Sequence, residues 1–162
     1  MKKLFLLAFI FMGFTNLSNA QTISDNAIGL RLGDSNGMGA EVSYQRALGD
    51  NNRLEFDLGW RNGNDYNGFK FTTLYHWVYN LEGAFNWYVG AGGGLGSFDG
   101  KNELNNVNDT FFYAAGDLGI EYSFDIPLLL SLDLRPELGF GNDNLNNNDL
   151  DFDIAFGIRY QF

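Results

Sequence analysis

The chain has 162 residues, 20 acidic against 10 basic, for a net charge of −10, with one histidine and no cysteine. That excludes a disulfide framework, a thiol nucleophile, a Cys-ligated metal and a lipoprotein anchor. So acidic a chain also lacks the basic face that a nucleic acid requires. The length fits one domain, and 21 glycines, 20 asparagines and 17% aromatics are high for an ordinary soluble one.

Residues 1–20 read as a signal peptide. Lys2 and Lys3 precede an apolar run from Leu4 to Phe14, too short to span a bilayer, and Ser18-Asn19-Ala20 places small residues before a cleavage point after Ala20. The remaining domain is then 21–162, with a net charge of −12 once the two lysines are gone.

From there the dominant period is two, the signature of β-strands. Asn26–Gly33 carries Ile28, Leu30 and Leu32 on one face. Met38–Leu48 sets Ala40, Val42 and Tyr44 against Glu41, Ser43 and Gln45. Arg53–Arg61 sets Leu54, Phe56, Leu58 and Trp60 against Glu55, Asp57 and Arg61. Gly68–Asn80 sets Phe69, Phe71, Tyr75, Trp77 and Tyr79 against Lys70, Thr72 and His76. Ala84–Ser97 carries Phe85, Trp87, Val89, Ala91 and Leu95. Thr110–Phe124 sets Phe112, Leu118, Ile120, Tyr122 and Phe124 against Asp117, Glu121 and Ser123. Leu128–Gly141 sets Leu130, Leu132, Leu134, Leu138 and Phe140 against Ser131, Asp133, Arg135 and Glu137. Leu150–Phe162 alternates Phe152, Ile154, Phe156, Ile158 and Tyr160 with Asp151, Asp153 and Arg159.

The connections at 49–52, 80–83 and 125–127 read as tight turns. Those at 34–37, 62–67, 98–109 and 142–149 are polar and Asn/Gly-rich, the third the longest. Short turns at one end and longer loops at the other describe an eight-stranded antiparallel up-and-down transmembrane β-barrel. Alternation alone does not say which face points inward. Three features favour apolar outward: dense charge of both signs on the polar face, long strands, and aromatics gathered near both strand ends.

The expected lumenal network is Arg31, Glu41, Glu55, Asp57, Arg61, Lys70, Asp117, Glu121, Asp133, Arg135, Glu137, Asp153 and Arg159, with Asp151 on the same parity. The expected aromatic girdles are Trp77, Tyr79, Phe85, Trp87, Tyr122, Phe124 and Tyr160 at the turn end, and Trp60, Phe69, Phe111, Phe112 and Phe140 at the loop end. Eight strands leave an interior that side chains fill, so no open pore is expected. Pro136 lies inside the seventh segment, where it lacks a ladder donor. A bulge there, or a position beyond the hydrocarbon zone, is expected.

With its leader, eight alternating segments, Trp87-Tyr88-Val89-Gly90-Ala91-Gly92, Leu134-Arg135-Pro136-Glu137 and the ending Arg159-Tyr160-Gln161-Phe162, the chain resembles small Gram-negative outer-membrane barrels. These are the OmpX-like and OmpA-barrel proteins, in the form common in Bacteroidetes. The resemblance implies a monomer in the bacterial outer membrane, in contact with its lipid and lipopolysaccharide. It also implies that Tyr160 and Phe162 form the signal read by the barrel-assembly machinery. A structural or surface-interaction role follows, with no cofactor and no enzyme activity.

Other readings stay open at this stage. A soluble lipocalin-like barrel would point the aromatic face inward around an apolar ligand. A lipid-A-modifying barrel enzyme would use His76, with Thr72 four residues away on its face. Gly90, Gly92, Gly94 and Gly96 share one parity, leaving either a ligand slot or room for large neighbours such as His76 and Lys70. Asn142–Asp149 offers oxygen ligands for a hard cation, or is plain loop.

Overall fold

The computed structural model describes residues 23–33, 39–62, 66–100, 108–140 and 150–162, and at 61–62, 66–67, 98–100 and 108–109 the backbone alone. The leader at 1–20 and the Asn/Asp-rich stretch at 142–149 lie outside the described residues, as does the side chain of Arg61.

Eight strands form: β1 Asn26–Gly33, β2 Gly39–Ala47, β3 Asn52–Asn62, β4 Tyr66–Glu82, β5 Phe85–Gly100, β6 Asn108–Ser123, β7 Leu128–Phe140 and β8 Leu150–Gln161. Each pairs antiparallel with its chain neighbours, and β1 pairs with β8, which closes the barrel. Asn26 and Phe162 exchange main-chain hydrogen bonds at that seam, 3.1 and 2.9 Å long. Closure leaves no free sheet edge.

The register sets the tilt. Pairing leads from Ala27 through Gln45, Glu55, Leu74, Gly92, Ala115 and Glu137 to Asp151. The β8 partner of Ala27 is Gln161, ten residues further on. A stagger of ten residues around eight strands tilts them by about 40°.

The turns follow their residues. Gly83 takes φ +54°, a conformation that suits glycine, and Asn80 Nδ2 donates to its carbonyl at 3.0 Å. At the opposite end the strands run further than the alternation suggests. β5 and β6 continue to Gly100 and from Asn108, so the connection expected to be longest shrinks to 101–107, while 141–149 remains. Asn and Gly there are strand residues, because pairing between two long strands overrides their weak intrinsic preference.

The faces point as the charge pattern suggests. Ile28, Leu30, Leu58, Leu132, Ile154 and Ile158 face outward, each more than two-fifths exposed. Arg31, Arg135, Arg159, Glu55, Asp57 and His76 point inward and are all but fully buried. A ligand-binding lipocalin-like barrel needs the reverse, so the aromatic face does not line a cavity. The girdle residues Trp60, Phe69, Trp77, Tyr79, Phe85, Phe124, Phe140, Tyr160 and Phe162 are all exposed. Trp87 and Tyr122 are half-buried, because Trp87 stacks on Tyr79 (4.7 Å) and Tyr122 meets Phe85 (4.6 Å). On β6, Phe112 and Tyr122 stand ten residues apart. At about 3.3 Å per residue and this tilt, that is about 25 Å along the barrel axis.

One expectation is corrected, and for Pro136 one of its two alternatives fails. Phe111 is not part of the outer girdle: it lies on the inward parity of β6, half-buried beside Tyr113. Pro136 makes no bulge. The β6–β7 register is the same at Ala115↔Glu137 and Leu118↔Leu134, and only the two intervening pairs are missing. The β7–β8 ladder runs through Pro136↔Phe152 unbroken. The missing N–H therefore falls on the β6 side. There Gly116 lies under the ring, and a Cβ at Gly116 would stand 3.2 Å from Pro136 Cγ. A glycine opposite the proline absorbs the misfit that a bulge would otherwise relieve.

Candidate functional site: the lumen

The inward faces of eight strands converge, and five cations tie them together. Arg135, on β7, reaches across the lumen to β3: its Nη2 donates to Glu55 Oε1 at 3.1 Å and Asp57 Oδ2 at 2.8 Å. It also lies 3.7 Å from Asp117 and, through Nη1, 3.6 Å from Glu41. Arg159, on β8, donates to Ser43, Ser131 and Glu55, joining β2, β7 and β3. Arg31 donates to Glu41 at 3.0 Å, Asp153 at 2.7 Å and Asp133, joining β1 to β2, β8 and β7. Lys70 pairs with Glu137, joining β4 to β7. A guanidinium suits this work, because its five N–H groups form a planar fork that can serve several acceptors at once.

The fifth cation is Arg53, which the sequence reading left out. Its Nη1 donates to Glu121 at 2.7 Å, its Nε donates to His76 Nδ1 at 3.2 Å, and its guanidinium lies 4.7 Å from the Tyr88 ring centre. The signal was present, since Arg53 shares the parity of Glu55 and Asp57. It stands as the first residue of the segment read as Arg53–Arg61, just after the turn at 49–52, and was not assigned to either face. Asn86, which donates to Glu121, was also missed.

His76 sits at the centre of this cluster and is fully buried. An arginine can only donate, so Nδ1 accepts from Arg53 and the ring proton is on Nε2, facing Asp117 Oδ2 at 3.0 Å. Glu55, His76 and Asp117 place potential ligand atoms within 4.8 Å of one another. The donor types suit a metal, but the surroundings do not. Both imidazole nitrogens are committed, and Arg135 and Arg159 already bond Glu55. A dication would stand among three guanidiniums.

The glycine parity on β5 is filled from its neighbours. A Cβ at Gly90 would overlap the His76 ring, one at Gly94 the Tyr113 ring and one at Gly96 the Phe111 ring. At Gly92 it would meet the β4 backbone itself. On β6, Gly119 makes the same room for Tyr88. His76 is thus one of the large neighbours expected there. Lys70 instead lies 4.8 Å from the Tyr113 ring centre. Leu74, Tyr113 and Ala115 form an apolar cluster across this part of the lumen, and Tyr113 Oη bonds Thr72 Oγ1. Thr72 and His76 stand four residues apart along β4, about 13 Å, too far for a direct pair. At the turn end a cavity of about 20 Å³ is lined by Gln45, Arg53, Asn86, Glu121, Ser123 and Gln161. It has room for a water or two, far below the several hundred Å³ of a ligand pocket.

Comparisons agree with this architecture. No family model matches the chain, and no curated protein does. Among solved structures, the N-terminal β-barrel domain of Pseudomonas aeruginosa OprF superposes with a TM-score of 0.71 at 15% identity, covering 86% of this chain and 98% of that one. Neisserial surface protein A gives 0.65 at 14%, covering 85% and 94%. The Yersinia pestis attachment invasion locus protein Ail, solved with the heparin analogue sucrose octasulfate, gives 0.57 at 11%, covering 86% and 97%. At such identities the likeness is one of fold.

Proposed function

We propose that this protein is exported and inserted in the bacterial outer membrane, as a monomeric barrel of the OmpX-like kind with a structural or surface-interaction role. One observation carries the reading: a closed barrel with an apolar outer band about 25 Å high, edged by aromatics, around a lumen filled with charged side chains. A soluble protein has no use for that inversion, whereas a bilayer's hydrocarbon layer and two interfaces select it. Lipid also demands a closed ladder, since it cannot satisfy a free edge. The strand lengths and the apolar leader at Leu4–Phe14 support the same placement.

In this reading the tight turns and both chain ends face the periplasm, and Tyr160 and Phe162 offer the barrel-assembly machinery an outward aromatic strand end. Lipid and lipopolysaccharide surround the band. The lumen has no catalytic part. His76 is held between Arg53 and Asp117 in the interior, away from the lipid where a lipid-modifying base must work. The segments 34–38, 63–65, 101–107 and 141–149 carry Lys101 against Asp34, Asp65, Glu103, Asp143 and Asp149. Such loops suit a neutral or basic surface partner, or one bridged by cations, over a polyanion.

Cell fractionation with heat-modifiable gel migration tests this. The protein is expected in the outer-membrane fraction and to migrate differently boiled and unboiled. Recovery as a soluble periplasmic protein with no shift contradicts it.

A further inference from the structure

The turn-end girdle does not go all the way round. Trp77 and Tyr79 on β4, Phe85 and Trp87 on β5, Tyr122 on β6 and Tyr160 on β8 supply it, while on β1 to β3 the aromatic beside this position is the half-buried Tyr44 of β2. In the gap stands Arg46, outward and exposed, one residue inside the end of β2 as Tyr122 and Tyr160 are one residue inside theirs. Among the described outward residues between the two girdles, it is the one that carries a charge.

Arg46 is held in place. Its Nη1 donates to Asn26 Oδ1 at 2.8 Å, and Tyr44 Oη donates to the same oxygen at 2.8 Å. The Asn26 amide nitrogen in turn points to the Phe162 main-chain oxygen at 3.4 Å. Among the described residues no carboxylate comes within 4 Å of the guanidinium, and the residue is exposed. Every other arginine with a described side chain is turned into the lumen and bonded to acids there.

We propose that Arg46, positioned by Asn26 and Tyr44, binds the phosphate of an anionic phospholipid in the leaflet at the turn end. The inference rests on the membrane reading above. A guanidinium at an aromatic girdle sits at headgroup depth, its fork matches two phosphate oxygens, and its stem lies along apolar surface. Charge complementarity selects the occupant: a barrel of net charge −12 repels anionic lipid generally, and this fixed cation is the exception among the described residues of its outer wall. A basic residue near such a surface enriches anionic lipid about five-fold.

The test uses the full barrel folded in phosphatidylcholine vesicles with a minority of phosphatidylglycerol. Native mass spectrometry then counts phosphatidylglycerol retained by the wild type, Arg46→Lys and Arg46→Gln. The wild type is expected to retain about five times as much as Arg46→Gln, with Arg46→Lys between, and added inorganic phosphate is not expected to displace it. Equal retention by wild type and Arg46→Gln overturns the site, as does displacement by inorganic phosphate. All three proteins are checked for heat-modifiable migration in phosphatidylcholine alone. Folding there with equal retention sinks only this site, whereas failure of the wild type to insert in any lipid removes the membrane reading as well.

Discussion

Arg135 Nη2 lies 2.8 Å from Asp57 Oδ2 and 3.1 Å from Glu55 Oε1, a contact that spans the barrel from β7 to β3. It makes two strands that are far apart in the ladder depend on one guanidinium. Arg135→Met leaves two buried carboxylates with less compensation, at a cost of about 3–5 kcal/mol. Urea unfolding of the vesicle-folded protein, followed by tryptophan fluorescence, checks this. An unchanged midpoint contradicts a lumen held by charge.

His76 is expected to be structural. His76→Leu leaves Arg53 Nε and Asp117 Oδ2 without their imidazole partner, so unfolding should become easier by about 1–3 kcal/mol. The lipid A of cells expressing wild type and variant should be identical by mass spectrometry. A difference in lipid A that disappears with His76 would reinstate the enzyme reading.

The lumenal glycines are expected to tolerate no branched side chain. Gly119→Val drives a side chain into the Tyr88 ring and Gly90→Val into His76, each costing about 1–3 kcal/mol through overpacking. Gly49→Ala is the control, because nothing lies within 4 Å of the added carbon, and it should stay within about 0.5 kcal/mol. Equal effects at all three sites would show that the rings do not occupy the glycine hollows.

Filled by Arg135, Arg159, His76, Tyr88, Leu74 and Tyr113, the lumen is expected to pass no ions. Planar-bilayer recording should show no discrete conductance steps, and reproducible steps from a purified wild-type barrel contradict a sealed interior.

Much of this was legible because a strand's two-residue period sorts residues by face. Glu55, Asp57, Asp133 and Arg135 could be assigned to the lumen from parity, with no knowledge of which acid meets which arginine. The pairing across the barrel was not legible, since Arg135 meets Glu55 and Asp57 through a stagger of ten residues that no local pattern encodes. Arg53 and Tyr88 obey the same parity, but one stands at a strand end and the other between conspicuous girdle aromatics. Phe111 was misplaced by its neighbour: in Phe111-Phe112 one ring must go in and the other out, and the loop-end position suggested girdle for both. Pro136 misled because its compensation lies on another strand, at Gly116.

The central claim is that the apolar band meets lipid, and Trp60, Trp77 and Trp87 report on it without a label. Fluorescence of the vesicle-folded protein should be quenched by phospholipids brominated along their acyl chains. Bromines near the headgroup should quench more strongly than bromines near the chain ends, because the three rings stand in the two girdles. Absence of quenching at any bromine depth, with fluorescence reduced only by an aqueous quencher, would contradict the account.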